Sequence, residues 1–210
     1  MTASNKPTFT PEATIGPFFP FRFTDGSQWQ ALPAPGTGHR ADGVPVALTG
    51  RILDCQGAGI RNMIVESWQA NAHGRYRHPD DDHSDHQGDA PLDPAFDGFA
   101  RVRTDADGGF RIATIKPGAH PAVSGNAMRA PHLRLTIFGS GIDRLVTFAY
   151  FDDEPANPAD PLLASLEEPD RGRLVARRSP AEDADGSTAY RLDIVLRGDA
   201  ETPFFDDWQE

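Results

Sequence analysis

From Tyr190 to Arg197 the chain alternates without a break. Tyr190, Leu192, Ile194 and Leu196 fall on one side, and Arg191, Asp193, Val195 and Arg197 on the other. Successive side chains of a strand point to opposite faces of a sheet, so this pattern predicts a half-buried antiparallel strand. Two further runs alternate nearly as cleanly, His132 to Phe138 and Leu145 to Phe151. Val46–Leu53, Met63–Gln69 and Phe110–Ile115 are strand-like and stop at turns such as Asp54-Cys-Gln-Gly57 and Lys116-Pro-Gly118. With 20 Gly and 19 Pro among 210 residues, turns are frequent enough to separate many short strands. The expected fold is all-β: a β-sandwich core with an irregular N-terminal arm, long loops and one or two short helices. The clearest helix runs from Pro161 to Glu168, with Asp160 as N-cap and Leu162, Leu163 and Leu166 on one side.

Residues 1–43 read as the arm and 44–210 as the sandwich domain. The arm is rich in Gly and Pro, yet it carries Phe9, Phe18, Phe19, Phe21, Phe23 and Trp29. Six aromatics imply packing on its own domain or on a partner. The formal net charge is −11, and no cluster of Lys and Arg exists to meet phosphates, so a nucleic-acid role is not expected. The single cysteine, Cys55, excludes an internal disulfide and reads as a small core or turn residue. No apolar run reaches membrane-spanning length, and Met1–Thr10 lacks the apolar stretch of a secretory leader, so a cytoplasmic protein is expected.

Three groups of residues could carry chemistry. His73, His78, His83 and His86 lie among Asp80, Asp81, Asp82, Asp85, Asp89, Asp93 and Asp97, a donor set for a divalent metal. Their spacing matches neither a helix face nor a strand face, so a solvated acidic loop is the stronger expectation. The period of two puts His132, Arg134 and Thr136 on one face, opposite Leu133, Leu135 and Ile137. On residue types alone, exposure of that polar face outweighs a pocket. Tyr76, in Gly74-Arg-Tyr-Arg77, stands at a strand-to-loop exit where functional side chains tend to sit. A packed ring with a hydrogen-bonded hydroxyl is the plainer reading.

The order of these pieces carries more information than any one of them. Trp68-Gln-Ala-Asn71, Gly74-Arg-Tyr-Arg77, Leu92-Asp-Pro94, Gly98 to Asp105, Thr114-Ile-Lys-Pro-Gly118, Ala130-Pro-His-Leu133, Tyr150-Phe-Asp152 and Tyr190 to Gly198 form a series. Over residues 11–206 that series resembles the intradiol aromatic-ring dioxygenases, and within them the branch that acts on protocatechuate. The resemblance implies a β-sandwich and a ferric ion held by two tyrosines and two histidines. It also implies O2-dependent opening of a catechol ring between its two hydroxyl-bearing carbons.

Carried onto this sequence, the first tyrosine is Tyr76, the second falls on His120, and the two histidines fall on His132 and Arg134. A guanidinium has no acceptor and keeps its proton, so Arg134 cannot be a ligand. At about 4 Å it would repel each unit of metal charge by roughly 4 kcal/mol at an effective dielectric near 20. The branch pairs an iron-bearing β subunit with a homologous α subunit whose site is vestigial. The resemblance therefore implies an α-type chain that binds no metal and lacks catalytic residues of its own. Fe(III) sits on the β partner, protocatechuate and O2 meet at the shared site, and αβ units build a higher oligomer. Thr14, Ile15, Gly16 and Pro17 of the arm are expected to complete the partner's pocket. Ser140 replaces an arginine expected there, with Arg144 as a possible substitute. Arg129, Arg134 and His120 could turn the vestigial pocket into an anion site. Two alternatives stay open: a self-sufficient enzyme with Tyr76, His120 and His132 around iron, and a non-enzymatic sandwich binding protein.

Overall fold

The computed structural model describes residues 31, 40–79, 81, 91–122, 126–139, 141–183 and 186–206. The arm expected to end at residue 43 lies almost wholly outside them. Two layers of strands make up the body. In the first, β2 (Ile64–Trp68) pairs antiparallel with β3 (Phe99–Arg103) on one side and β7 (His132–Gly139) on the other. β7 pairs antiparallel in turn with β8 (Ile142–Phe151). In the second, β1 (Pro45–Leu53) lies antiparallel to β4 (Gly109–Ile115) and parallel to β10 (Thr188–Arg191) and β11 (Ile194–Val195). β9 (Val175–Glu182) pairs antiparallel with β10 and, through Tyr150↔Val175 and Phe151↔Ala176, parallel with β8. It thus joins the layers along one side. β5 (His120–Pro121) and β6 (Met128–Arg129) form a separate small ribbon.

The expected sandwich is therefore present, and its core follows the alternation. Leu133, Leu135 and Ile137 of β7 pack with Val65, Val102, Ala149 and Phe151 of their own layer and with Leu48, Ile112, Tyr190, Leu192 and Ile194 of the other. Excluding water from that apolar surface is the main stabilising term, at about 25 cal/mol per Å². Among the described residues no helix is long and apolar enough to cross a membrane.

Several local expectations need correction. The run Tyr190–Arg197 keeps its two faces but is not one strand, and its contacts with β1 are parallel. It breaks at Leu192–Asp193, where the Asp193 carboxylate accepts the Arg51 amide proton at 2.9 Å, so a side chain stands in for the backbone ladder. The helix is shorter than its pattern: α1 covers Pro161–Ser165, Leu166 being already extended, and a second turn, α2, spans Asp170–Arg173. β3 and β9 were not expected as strands, because Arg101, Arg103, Arg177 and Arg178 dilute their apolar signal. Of the two readings offered for Cys55, the turn holds: it is exposed there and takes no part in the core. Within the acidic stretch, Asp93 is buried and accepts the Asp42 and Ala95 amide protons, and Asp81 is ion-paired with Arg75 at 3.0 Å. These two aspartates hold loops in place and are not merely solvated.

A second, smaller core covers the outer face of the β7–β8 ladder. Phe148, Tyr150, Ala130, Leu163 and Leu174 form it, with α1 as its lid. At its centre the fully buried Asp160 carboxylate accepts five hydrogen bonds. They come from Arg129 Nε at 3.1 Å, Ala130 N at 2.8 Å, the Tyr150 hydroxyl at 3.1 Å, and Leu162 N and Leu163 N at 2.9 and 3.1 Å. Burial opposes the charge of Asp160, but Arg129 and the backbone amides outweigh it and hold the carboxyl below its ordinary range. Removing one partner of a buried, hydrogen-bonded charge pair leaves the other uncompensated. Asp160→Ala is accordingly expected to lower stability by about 3–5 kcal/mol, read by chemical denaturation, well beyond the loss of a simple helix cap.

Candidate functional site

The residues that the resemblance brings forward meet at the end of β2 and β7. β2 exits into a loop organised by two buried amides. Gln69 donates to the Ile115 carbonyl at 3.0 Å and accepts from the Thr114 hydroxyl at 2.7 Å, tying the loop to the end of β4. Asn71 accepts the amide protons of His73 and Arg75 with its side-chain oxygen, and its carbonyl accepts those of Gly74 and Gly118. The Lys116-Pro-Gly118 turn presses against this loop so closely that a Cβ on Gly118 would lie 2.5 Å from the Ala72 carbonyl oxygen. Only glycine fits there. This contact carries His120 to Tyr76, although 43 residues separate them in the chain.

Tyr76 is half-buried. Its ring stacks on Trp68 with centroids 5.9 Å apart, and its hydroxyl lies 3.2 Å from His120 Nε2. The His120 and His132 rings follow, 5.2 Å apart, and His132 leans on Phe148 and Tyr150. The Nδ1 atoms of His120 and His132 lie 2.9 and 2.7 Å from the carbonyls of Pro121 and Ala130. A carbonyl accepts only a proton, so both imidazoles carry theirs on Nδ1 and present a lone pair at Nε2. The Tyr76 hydroxyl therefore donates to His120. A phenol that uses its proton this way is packed and hydrogen-bonded, as the plainer reading of the sequence had it.

His132 is 3% exposed, which corrects the expectation that its face of β7 is solvent-facing. Thr136 on the same face is buried and Arg134 half-buried. The alternation located this face, but not the second core that covers it. Arg134 stands in register between Trp68 of β2 and Phe148 of β8. Arg129 belongs to the Asp160 cluster: it is 5% exposed, and it donates to Tyr150 at 2.7 Å as well as to Asp160. Burial works against its charge, yet Tyr150 and Asp160 raise its pKa overall. That corrects its assignment to an anion pocket, since its fork already faces a carboxylate. Arg144 is exposed near the hairpin that joins β7 to β8, six residues before Tyr150 and so about 20 Å from His132. Thr14, Ile15, Gly16, Pro17 and Ser140 lie outside the described residues, as do His83 and His86. His73 and His78 are exposed.

Together the four positions supply one phenol, two imidazoles and one guanidinium. Two tyrosinates would bring two negative charges to a trivalent cation; here at most one is on offer, and a fixed positive charge takes the fourth place. The donor set does not fit a ferric ion. Sequence reasoning missed Asp160 and Tyr150, which set the position of His132 through Ala130. An aspartate before a proline signals only a helix cap.

Burial, with Arg129 and His120 adding repulsion, pushes the His132 pKa down to about 3. The unfolded chain takes up that proton near pH 6.5, the native one only far lower. Stability is thus complete above about pH 6.5 and should fall as pH drops, by up to about 1.4 kcal/mol per unit. Denaturation midpoints across pH 4–7 measure the slope, and His132→Gln is expected to remove one proton's share of it.

Comparison with known proteins agrees with this architecture. A family model described as Dioxygenase matches residues 16–198. The protocatechuate 3,4-dioxygenase alpha chain of Pseudomonas putida is 36% identical, covering 94% of this chain and 96% of its own length. The beta chain of the Burkholderia cepacia enzyme is 45% identical over 164 residues, 77% of this chain and 68% of its own. Among solved structures, 3-chlorocatechol 1,2-dioxygenase from Rhodococcus opacus superposes with a TM-score of 0.59 at 19% identity, covering 93% of this chain and 71% of that one. Sequence match and strand layout agree: the chain belongs to the intradiol dioxygenase family.

Proposed function

We propose that this chain is the α-type, iron-free subunit of a two-chain protocatechuate dioxygenase. Similarity alone does not separate α from β, because the beta chain is more identical over a shorter stretch while the alpha chain matches nearly end to end. The observation that carries the choice is the site itself, with His120 accepting from Tyr76 and Arg134 in the fourth position. In this reading a homologous β subunit holds Fe(III). The cytoplasmic complex, a higher oligomer of αβ units, converts protocatechuate and O2 to 3-carboxy-cis,cis-muconate.

The division of the chain into an arm of residues 1–43 and a sandwich of 44–210 belongs to the same proposal. Thr14, Ile15, Gly16 and Pro17 complete the partner's pocket, where a glycine lets backbone approach a ligand closely and a threonine offers a hydroxyl. In this reading Ser140 and Arg144 also contribute to the partner's pocket. What supports this role is the aromatic content of the arm, which a solvated linker would not carry.

Metal analysis and the visible spectrum test the proposal. The chain purified alone should be colourless and free of stoichiometric iron; co-expressed with its partner, it should yield a coloured complex with one iron per αβ pair. A tyrosinate-to-iron absorption band in the single chain would overturn the assignment in favour of a Tyr76, His120 and His132 centre. Failure of every iron-bearing homologue to form a complex would favour a binding protein. Restoring the two lost positions with His120→Tyr and Arg134→His should raise the iron content of the chain well above that of the wild type.

A further inference from the structure

A shallow cavity of about 380 Å³ opens on the side of the molecule formed by β9, β10, β11 and the segment after them. Val175, Leu192 and Val195 provide apolar surface, and Arg173, Arg177 and Arg191 stand around it. Arg177 and Arg191 are directly opposite one another on antiparallel strands, an arrangement in which like charges repel. The three guanidinium groups are not equivalent. Arg191 is held by both Asp193 oxygens at 3.0 Å. Arg173 pairs with Asp170 at 2.7 Å and donates to the Asp199 and Glu201 carbonyls, which fixes the wall of the cavity. Arg177 is exposed and has no carboxylate within ion-pair distance among the described residues. One cation is thus left over beside an apolar floor, on a chain whose net charge is −11.

The geometry points to a binding site, separate from the Tyr76–His132 cluster, for an organic carboxylate whose hydrocarbon part lies on Val175 and Val195 while its carboxylate meets Arg177. The volume suits a small ligand. A guanidinium fork matches a carboxylate with two parallel hydrogen bonds. The apolar floor favours an unsaturated or aromatic acid over inorganic phosphate, which would leave that surface unused. This site does not depend on the assignment of the chain as an α-type subunit.

The test is calorimetric titration of the full-length protein, in the assembly in which it purifies, with benzoate at constant ionic strength. Wild type, Arg177→Ala and Arg177→Lys are compared. The expected result is one benzoate per copy of this chain whose affinity falls at least ten-fold in Arg177→Ala and is partly kept in Arg177→Lys. A benzoate site on a partner chain would be unchanged in both variants. Coincident isotherms for wild type and Arg177→Ala would overturn the proposal. So would inorganic phosphate that displaces benzoate from this site at equal concentration. Arg177 supports no other side chain, so an unchanged melting temperature without ligand should confirm that both variants fold.

Discussion

The Asp160 carboxylate joins more of this structure than any other group. It caps α1, holds the end of β6 through Arg129 and Ala130, and receives the Tyr150 hydroxyl from β8. A charge so deeply buried is tolerable only when its lone pairs are all engaged, because desolvation alone costs several kcal/mol per ion. Here backbone amides do much of that work, and a guanidinium balances the charge. The consequence reaches the site. Asp160 fixes Ala130 by its amide, and the Ala130 carbonyl fixes the His132 ring by its Nδ1 proton. The helix cap, the small core and the orientation of the imidazole are one connected arrangement.

The same arrangement places Tyr76, His120 and His132 side by side at one end of the sandwich. The loop after β2 and the Lys116-Pro-Gly118 turn meet, and they bring the side chain at position 120 within hydrogen-bonding distance of Tyr76. An imidazole at 120 accepts the Tyr76 proton, whereas a phenolate there would add negative charge. A guanidinium at 134 adds a positive charge, which repels a cation.

How far the sequence reveals this depends on range. The alternation of β7, β8 and the last strands follows from side-chain direction within one strand, and it identified the inner faces correctly at Leu133, Leu135, Ile137, Tyr190, Leu192 and Ile194. It could not tell that the other face of β7 is covered too, because that depends on α1 and Tyr150 folding over it. It likewise missed that Asp193 interrupts its strand by accepting from Arg51, a contact across 142 residues. Arginine-rich β9 was invisible, since its pairing with β8 and β10 supplies what its own sequence lacks.

Residue types and their order by themselves determined the strand-rich fold class and the family resemblance, for these rest on local periodicity and on the order of short motifs. Only the tertiary structure decided that Tyr76 donates to His120, that His132 is buried and neutral, and that Arg129 faces Asp160 and not a pocket. Hydrogen bonding and desolvation act between groups that the chain brings together only on folding, and no pattern along one strand encodes which of them will meet.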